Sequence, residues 1–395
     1  MSEYDIAVIG AGPAGMAAAA QAAGLGAKVL LLDEQESPGG QIYRHIEHAG
    51  DEQLRVLGKS YEAGQLLLRD LCEAPVEHVR RATVWMVGKD GGIAWSVDGK
   101  ASKTNAKRVI IATGALERPV PVPGWTLPGV MTAGAAQILL KQSGLVPQRA
   151  VLAGSGPLLY LLASQMITAG AAPLALVETN SMRDVFAAAL KLKPNRTTAS
   201  YLKQGVKLLA AIRKAGVPRY SAAQNLRVEG EGMAEAVSFN CGANAHRISC
   251  DFVLLHQGVV PNTQITRSLG LDHDWDKQQR CFRPVTNRWG RACETIYVAG
   301  DGSGIGGAKA AELQGRLAAL DAAASSGLIG KSERDDRADP MLRELAGQLS
   351  VRGFLECAYA PSEQVLAPHD DTIICRCEEI TAGDIRGYAK LGCKG

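Results

Sequence analysis

One arrangement occurs twice in this chain, about 144 residues apart, and constrains its fold more than any other feature. It consists of a short apolar run, a Gly-x-Gly turn, an Ala- and Leu-rich stretch, and a second apolar run ending in an acid. In the first copy Ile6 to Ile9 read as a strand, Gly10, Gly12 and Gly15 as a turn, the residues up to Gly24 as a helix, and Lys28 to Leu32 as a strand closing on Asp33. That order is a βαβ unit of a parallel sheet. Gly10 lets the chain turn sharply, Gly12 lets the backbone approach a pyrophosphate, and Gly15 lets helix and strand pack closely. The helix start offers unpaired amides and a partial positive charge to phosphate, and Asp33, 23 residues after Gly10, can accept hydrogen bonds from an adenosine ribose.

In the second copy Val151 to Ala153 lead into Gly154-Ser155-Gly156-Pro157-Leu158-Leu159, and Ala175 to Val177 end in Glu178, 24 residues after Gly154. The third glycine is Leu159 here, which keeps a nucleotide plausible but loosens its pose. No basic pair follows Glu178 to take a 2′-phosphate, so NADP is disfavoured. A retained fold with an empty or repurposed pocket is the competing reading.

Composition bounds the class. At about 150 residues per domain, 395 residues suggest two to three domains. The chain is 46% hydrophobic and 21% charged, with 44 Gly in no triplet period, as expected of a globular protein rich in tight turns. Forty-three Lys and Arg against 40 Asp and Glu, with no long basic run, argue against nucleic acid or an acidic membrane surface. Nine cysteines and an N-terminus that carries acids where a signal peptide needs bases point to a reducing cytoplasm. The uncharged stretches 7–27 and 150–177 are long enough to span a bilayer, but each is broken by a Gly-x-Gly turn and reads as strand, turn and helix.

Further marks follow the repeats. Arg108 to Ile111 form an apolar strand meeting Ala112-Thr113-Gly114, and a weaker version recurs from Phe252 to Gly258. Thr295 to Gly300 close on Asp301, followed by Gly302, Gly304, Gly306 and Gly307 before a helix from Ala308. An acid there can bond a ribityl hydroxyl, and the helix start can stabilise negative charge on a reduced flavin.

These residues resemble the two-dinucleotide-binding-domain flavoproteins, similar in architecture to thioredoxin reductase and glutathione reductase, over about residues 3–325. The resemblance implies an α/β fold of two Rossmann-like domains and FAD on the first repeat. Its contacts would be Gly10, Gly12, Pro13, Ala14, Gly15, Asp33, Glu34, Gly40, Gln41, Thr113, Gly114, Gly300 and Asp301. A nucleotide, NAD or ATP/ADP, would lie on the second repeat at Gly154, Ser155, Gly156 and Glu178. It further implies an FAD domain over 1–122 and 261–328 with the second nucleotide domain, 123–260, inserted. The reductases' Cys-x-x-Cys or Cys-x4-Cys pair is absent, so a disulfide reductase is not expected. Cys72, Cys241, Cys250, Cys281 and Cys293 read as buried apolar residues. The seven histidines have no triad or metal spacing and read as structural or solvent-facing, and the five tryptophans as core or rim packing.

Residues 329–395 read as a charged linker over Lys331 to Arg337 followed by a new unit, with a helix from Asp339 to Glu356. Cys375 and Cys377 stand two apart before Thr381, which can cap a helix with Asp384 three residues on. This tail resembles the start of the iron–sulfur domain of bacterioferritin-associated ferredoxins. Together with Pro38 to Arg44 and Pro123 to Val130, it makes the chain similar to the α subunits of hetero-oligomeric amino-acid and opine dehydrogenases. That group includes hydrogen cyanide synthase, opine oxidase and hydroxyproline dehydrogenase.

The resemblance implies a 2Fe–2S cluster with Cys375, Cys377 and Cys393 as candidate ligands. In the family a second cysteine pair completes the set, and it would lie beyond Gly395; zinc and no metal are the rivals. It implies an electron-transfer subunit working with a second flavoprotein, an amino-acid-oxidase-like β subunit that oxidises a C–N bond, with a small ferredoxin-like subunit as a further partner. The expected location is cytoplasmic, or peripheral at a membrane through partners. Two alternatives stay open: a self-contained NADH:acceptor oxidoreductase, and a structural or regulatory subunit binding ATP or ADP at the second turn.

Overall fold

The computed structural model describes residues 4–393; Met1–Glu3 and Lys394–Gly395 lie outside them. The chain divides into two compact units. One comprises the residues up to Leu116 together with Val259–Arg352, the other Glu117–Gly258 together with the residues from Gly353 onward.

In the first unit β1 (Tyr4–Ile9), α1 (Pro13–Gly24) and β2 (Val29–Leu32) make the βαβ unit. β1 runs parallel to β2, with Ile6 beside Val29 and Ile9 beside Leu32. On its other side it runs parallel to the end of β3 (Lys100–Ile111), with Ile9 beside Ile111. The strand Val76–Val79 lies outside β2, and Ile296–Val298 pairs with β3. Covered on both faces, the central strands are apolar almost without alternation. Ile6, Leu30, Leu31 and Ile110 are wholly buried, each worth about 1.5–3 kcal/mol against exposure. Small residues let the helix Ala308–Ser325 approach α1 backbone to backbone: a Cβ on Gly315 would collide with the Ala14 carbonyl oxygen.

The second unit repeats the plan. β4 (Ala150–Ser155), α2 (Pro157–Thr168) and β5 (Ala175–Glu178) are followed by α3 (Met182–Ala189), α4 (Arg196–Lys214), β6 (Arg219–Tyr220) and β7 (Phe252–Gln257). The sheet order is β6-β5-β4-β7 with Val130–Thr132 at the edge, all parallel. Period-2 alternation divides the core. Val151, Val177 and Leu255 face the antiparallel sheet that carries Phe239, while Leu152, Leu176 and Leu254 face the helices with Leu162 and Met166.

The tail differs from the sequence reading. Lys331 to Arg337 are not a linker but the first turns of a helix, Lys331–Leu349. Its charges pair along the helix, Glu333 with Arg337 and Asp339 with Arg343, each at 2.7 Å. Its apolar side, Met341, Leu342 and Leu345, packs against Trp289, Leu317 and Leu320 of the first unit. From Gly353 the chain belongs to the second unit instead of forming a separate body. Val365 enters that unit's core, Gln364 exchanges hydrogen bonds with the Leu226 backbone at 2.9 and 3.0 Å, and Trp125 Nε1 donates to the Ile373 carbonyl at 2.6 Å. The short hairpin Ile373–Cys375 and Ile380–Thr381 leads into the helix Ala382–Lys390. That helix opens with a capping box between Thr381 and Asp384.

Candidate cofactor sites

The first glycine turn is an open cradle. Gly10 has φ of +99°, and a Cβ there would lie 2.6 Å from the Ala112 carbonyl oxygen. On Gly15 a Cβ would strike the Gly10 carbonyl, so the helix starts hard against β1. Gly12 is different: its Cβ direction meets only Gly40 Cα, at 3.8 Å, and is otherwise clear. α1 begins with Pro13 at its first turn and no side chain caps it, which leaves its amides free for an anion.

The Gly40 loop is fixed against this turn by the Gly39 N–H, which donates to the Ala11 carbonyl at 2.8 Å, while Gln41 lies exposed beyond it. Asp33 is buried. Its Oδ2 accepts from the Ala11 N–H at 2.6 Å and its Oδ1 from the Gln35 N–H at 2.8 Å. The acid therefore shapes the turn as well as facing it. Burial pushes its carboxyl upward, opposed by those two N–H donors. Glu34 is exposed and accepts from Gln35 Nε2 at 3.2 Å.

The same face gathers the remaining candidates. Thr113 Oγ1 is buried with no partner, an orphan hydroxyl at the end of β3. A Cβ on Gly300 would meet Ala14 Cβ at 2.8 Å, and one on Gly302 would meet the Gly114 carbonyl oxygen at 3.3 Å, so the two turns abut. Asp301 Oδ1 accepts from Gly306 and Gly307 N–H at 2.8 and 3.0 Å. It thereby holds open the start of the helix Ala308–Ser325, which also has no side-chain cap. Space at Gly12, two uncapped helix starts and the Thr113 hydroxyl together fit a dinucleotide.

The second turn is filled by the chain itself. Gly156 has φ of +133°, and a Cβ there would lie 2.8 and 2.9 Å from Cδ2 and Nε2 of His256. The imidazole thus packs directly against the Gly156 backbone. It is held there by Glu117, whose Oε1 stands 2.6 Å from His256 Nδ1 and whose Oε2 accepts from the Gly134 N–H at 2.8 Å. Glu178 is occupied as well. Arg219 donates to both its oxygens at 3.0 Å and the Tyr160 hydroxyl donates to Oε1. Burial first, then the Glu178 charge, raises the Tyr160 phenol, so it stays a donor. The tail adds Tyr359, edge-on to the Tyr160 ring at 5.9 Å, and the Ser362 N–H, which donates to Gln257 Oε1 at 3.0 Å. Gly156 and Glu178 are thus both engaged by protein groups. Ser155 Oγ and Asn180 Oδ1 are buried without protein partners, so a smaller polar ligand or solvent has two groups to satisfy.

His256, Glu117, Arg219, Tyr160 and Tyr359 were not among the candidates from sequence. Laying the repeats side by side would have exposed one of them, since His256 stands beside Gly154 in the register where Ala112 follows Ile111 beside Ile9.

None of the nine cysteines is in a disulfide. Cys250 and Cys281 are buried as expected, Cys241 and Cys293 are half-buried, and Cys72 is exposed, contrary to the reading of all five as core residues. Among the described residues no group of three or more His, Cys, Asp or Glu side chains is placed to hold a metal. Cys375, Cys377 and Cys393 therefore do not form a ready three-ligand set. No helix among the described residues is long and apolar enough to cross a membrane.

Two Rossmann-like units, the first with an open flavin-type cradle, define a dinucleotide-dependent oxidoreductase. Residues 4–327 match the model of the pyridine nucleotide-disulphide oxidoreductases, and the chain belongs to that family. Within it the chain groups with subunits of opine oxidase and of hydrogen cyanide synthase. It is 43% identical to an opine oxidase subunit of Agrobacterium tumefaciens, covering 99% of this chain and 80% of that one. It is 32% identical to the hydrogen cyanide synthase subunit HcnB of Pseudomonas aeruginosa, covering 98% and 85%. Among solved structures, L-proline dehydrogenase from P. horikoshii superposes with a TM-score of 0.69 at 20% identity, covering 99% of this chain and 67% of that one. T. acidophilum thioredoxin reductase gives 0.59 at 22%, covering 82% and 98%. At such identities these structures bear on the fold alone. The chain is an FAD-dependent oxidoreductase.

Proposed function

We propose that this chain is the FAD-carrying, electron-transferring subunit of a hetero-oligomeric dehydrogenase that oxidises the C–N bond of an amino acid, imino acid or opine, with the substrate site on a partner flavoprotein subunit. The observation that carries this reading is the contrast between the two glycine turns, clear at Gly12 and filled by His256 at Gly156. A route from NADH on the second unit would need the space and the ribose acceptor that His256, Arg219 and Tyr160 already occupy. The relatives named as subunits of opine oxidase and of hydrogen cyanide synthase agree with a shared catalytic assembly.

On this reading FAD, when bound, supplies the electron-accepting chemistry. The Gly10–Gly15 turn and the start of α1 bind its diphosphate, and Asp33, with Glu34 beside it, takes the adenosine ribose. Gly40, Gln41, Thr113, Gly114, Gly300 and Asp301 would provide the remaining contacts to the cofactor. The helix starting at Ala308 directs its uncapped amides at the cradle, where they favour negative charge. Cys375 and Cys377, with Cys393, would contribute to a relay cluster completed by ligands from elsewhere.

Anaerobic mixing of the isolated protein with NADH tests the division of labour. The flavin band should persist, and should bleach only when the partner and its amine substrate are added. Rapid bleaching by NADH alone would establish the self-contained reductase instead.

A further inference from the structure

We propose that the face of the second unit carried by α3 and α4 rests on an anionic lipid surface. The overall balance of charge conceals a concentrated segment. Residues 182–214 hold eight Lys and Arg and a single acid, Asp184, in a chain whose totals are 43 against 40. That one carboxylate is occupied, accepting from the Ser181 N–H at 2.8 Å in the capping box that starts α3.

Large apolar side chains stand among these charges in the open. Met182, Phe186 and Leu190 recur every fourth residue along α3 and its end, and are 53%, 71% and 90% exposed. On α4, Leu202 and Val206 are likewise four apart and 40% and 68% exposed, each followed directly by a lysine, Lys203 and Lys207. The buried residues of the two helices are few: Ala188 on α3, Thr198 and Ile212 on α4.

Large apolar side chains recurring every fourth residue in the open on each helix point to an interaction site. Its chemistry favours lipid over protein. Five of the eight cations are lysines, which protein interfaces deplete. Long lysine stems beside Phe and Leu suit a helix lying in a headgroup layer, with ammonium groups reaching the phosphates and apolar side chains entering the acyl boundary. Since no described helix can span a bilayer, the contact would be peripheral. The inference does not depend on the flavin reading, and vesicle binding can fail while the cradle stands.

The test is flotation of the full-length, flavin-loaded chain with vesicles of phosphatidylcholine alone or mixed with phosphatidylglycerol. Binding should require the anionic lipid and weaken as salt shortens the screening length from about 10 Å at 0.1 M to about 3 Å at 1 M. Replacing the pair by K203E/K207E should lower vesicle affinity at least about tenfold. F186S/L190S should lower it as well. Both variants should keep the flavin spectrum and far-UV circular dichroism of the parent, since none of the four side chains is buried. Equal binding to both vesicle types, binding to neither, or undiminished binding by the charge-reversed variant would overturn the proposal. So would protection of Phe186 and Leu190 by the partner in an assembled complex that no longer floats.

Discussion

A single carboxylate and a single missing Cβ carry much of the account at the residue scale. Asp33 satisfies two backbone N–H groups at the first turn, so Asp33→Ala should orphan both. The expected loss is about 1–3 kcal/mol of stability for each donor that solvent does not recover, read from urea unfolding, together with weaker flavin retention. His78 gives a pH signature. Burial, reinforced by Arg80, holds its imidazole at about 4, against 6.5 as its ordinary value. The unfolded chain then binds the extra proton between those values. The His78 contribution to stability is therefore present above about pH 6.5 and declines as the pH falls toward 4. Urea midpoints at about pH 7 and about pH 5 should differ more in the parent than in His78→Gln.

At the scale of elements, what was legible depended on how local the signal was. Strand, turn, helix and strand could be read at Ile6 to Asp33 because each role is set by neighbours within a few residues. The closing of the second site could not be read that way. Arg219 comes from β6 and His256 from β7, and only the parallel register brings them to Glu178 and Gly156. The helix Lys331–Leu349 was missed for another reason: its first turns look like a solvated linker, and Pro340 lies inside it. What anchors it is Arg334, whose guanidinium reaches Asp321 Oδ1 at 2.6 Å and lies 4.5 Å from the Trp289 ring. Arg334→Ala would leave the buried Asp321 with the Tyr297 hydroxyl alone, at a cost of about 3 kcal/mol. Thermal unfolding should register that loss without a change in the flavin spectrum.

For the whole molecule, one βαβ plan is used twice, and the two glycine turns differ in backbone and surroundings. The first copy keeps empty the space that the second fills with an imidazole, a guanidinium–carboxylate pair and part of its own tail. On the proposed reading FAD lies on the first copy, and a pyridine nucleotide on the second is disfavoured. The most direct measurement is the absorption spectrum and extracted cofactor of the purified chain, compared across Gly12→Ala and Gly156→Ala. Gly12 lies at φ of −73°, where alanine is unstrained, so its methyl group should block only the diphosphate. The account predicts a folded, colourless Gly12→Ala protein and a yellow Gly156→Ala protein that is less stable but still carries FAD. A Gly12→Ala protein that keeps its full FAD, or a Gly156→Ala protein that folds normally and loses it, would contradict the assignment.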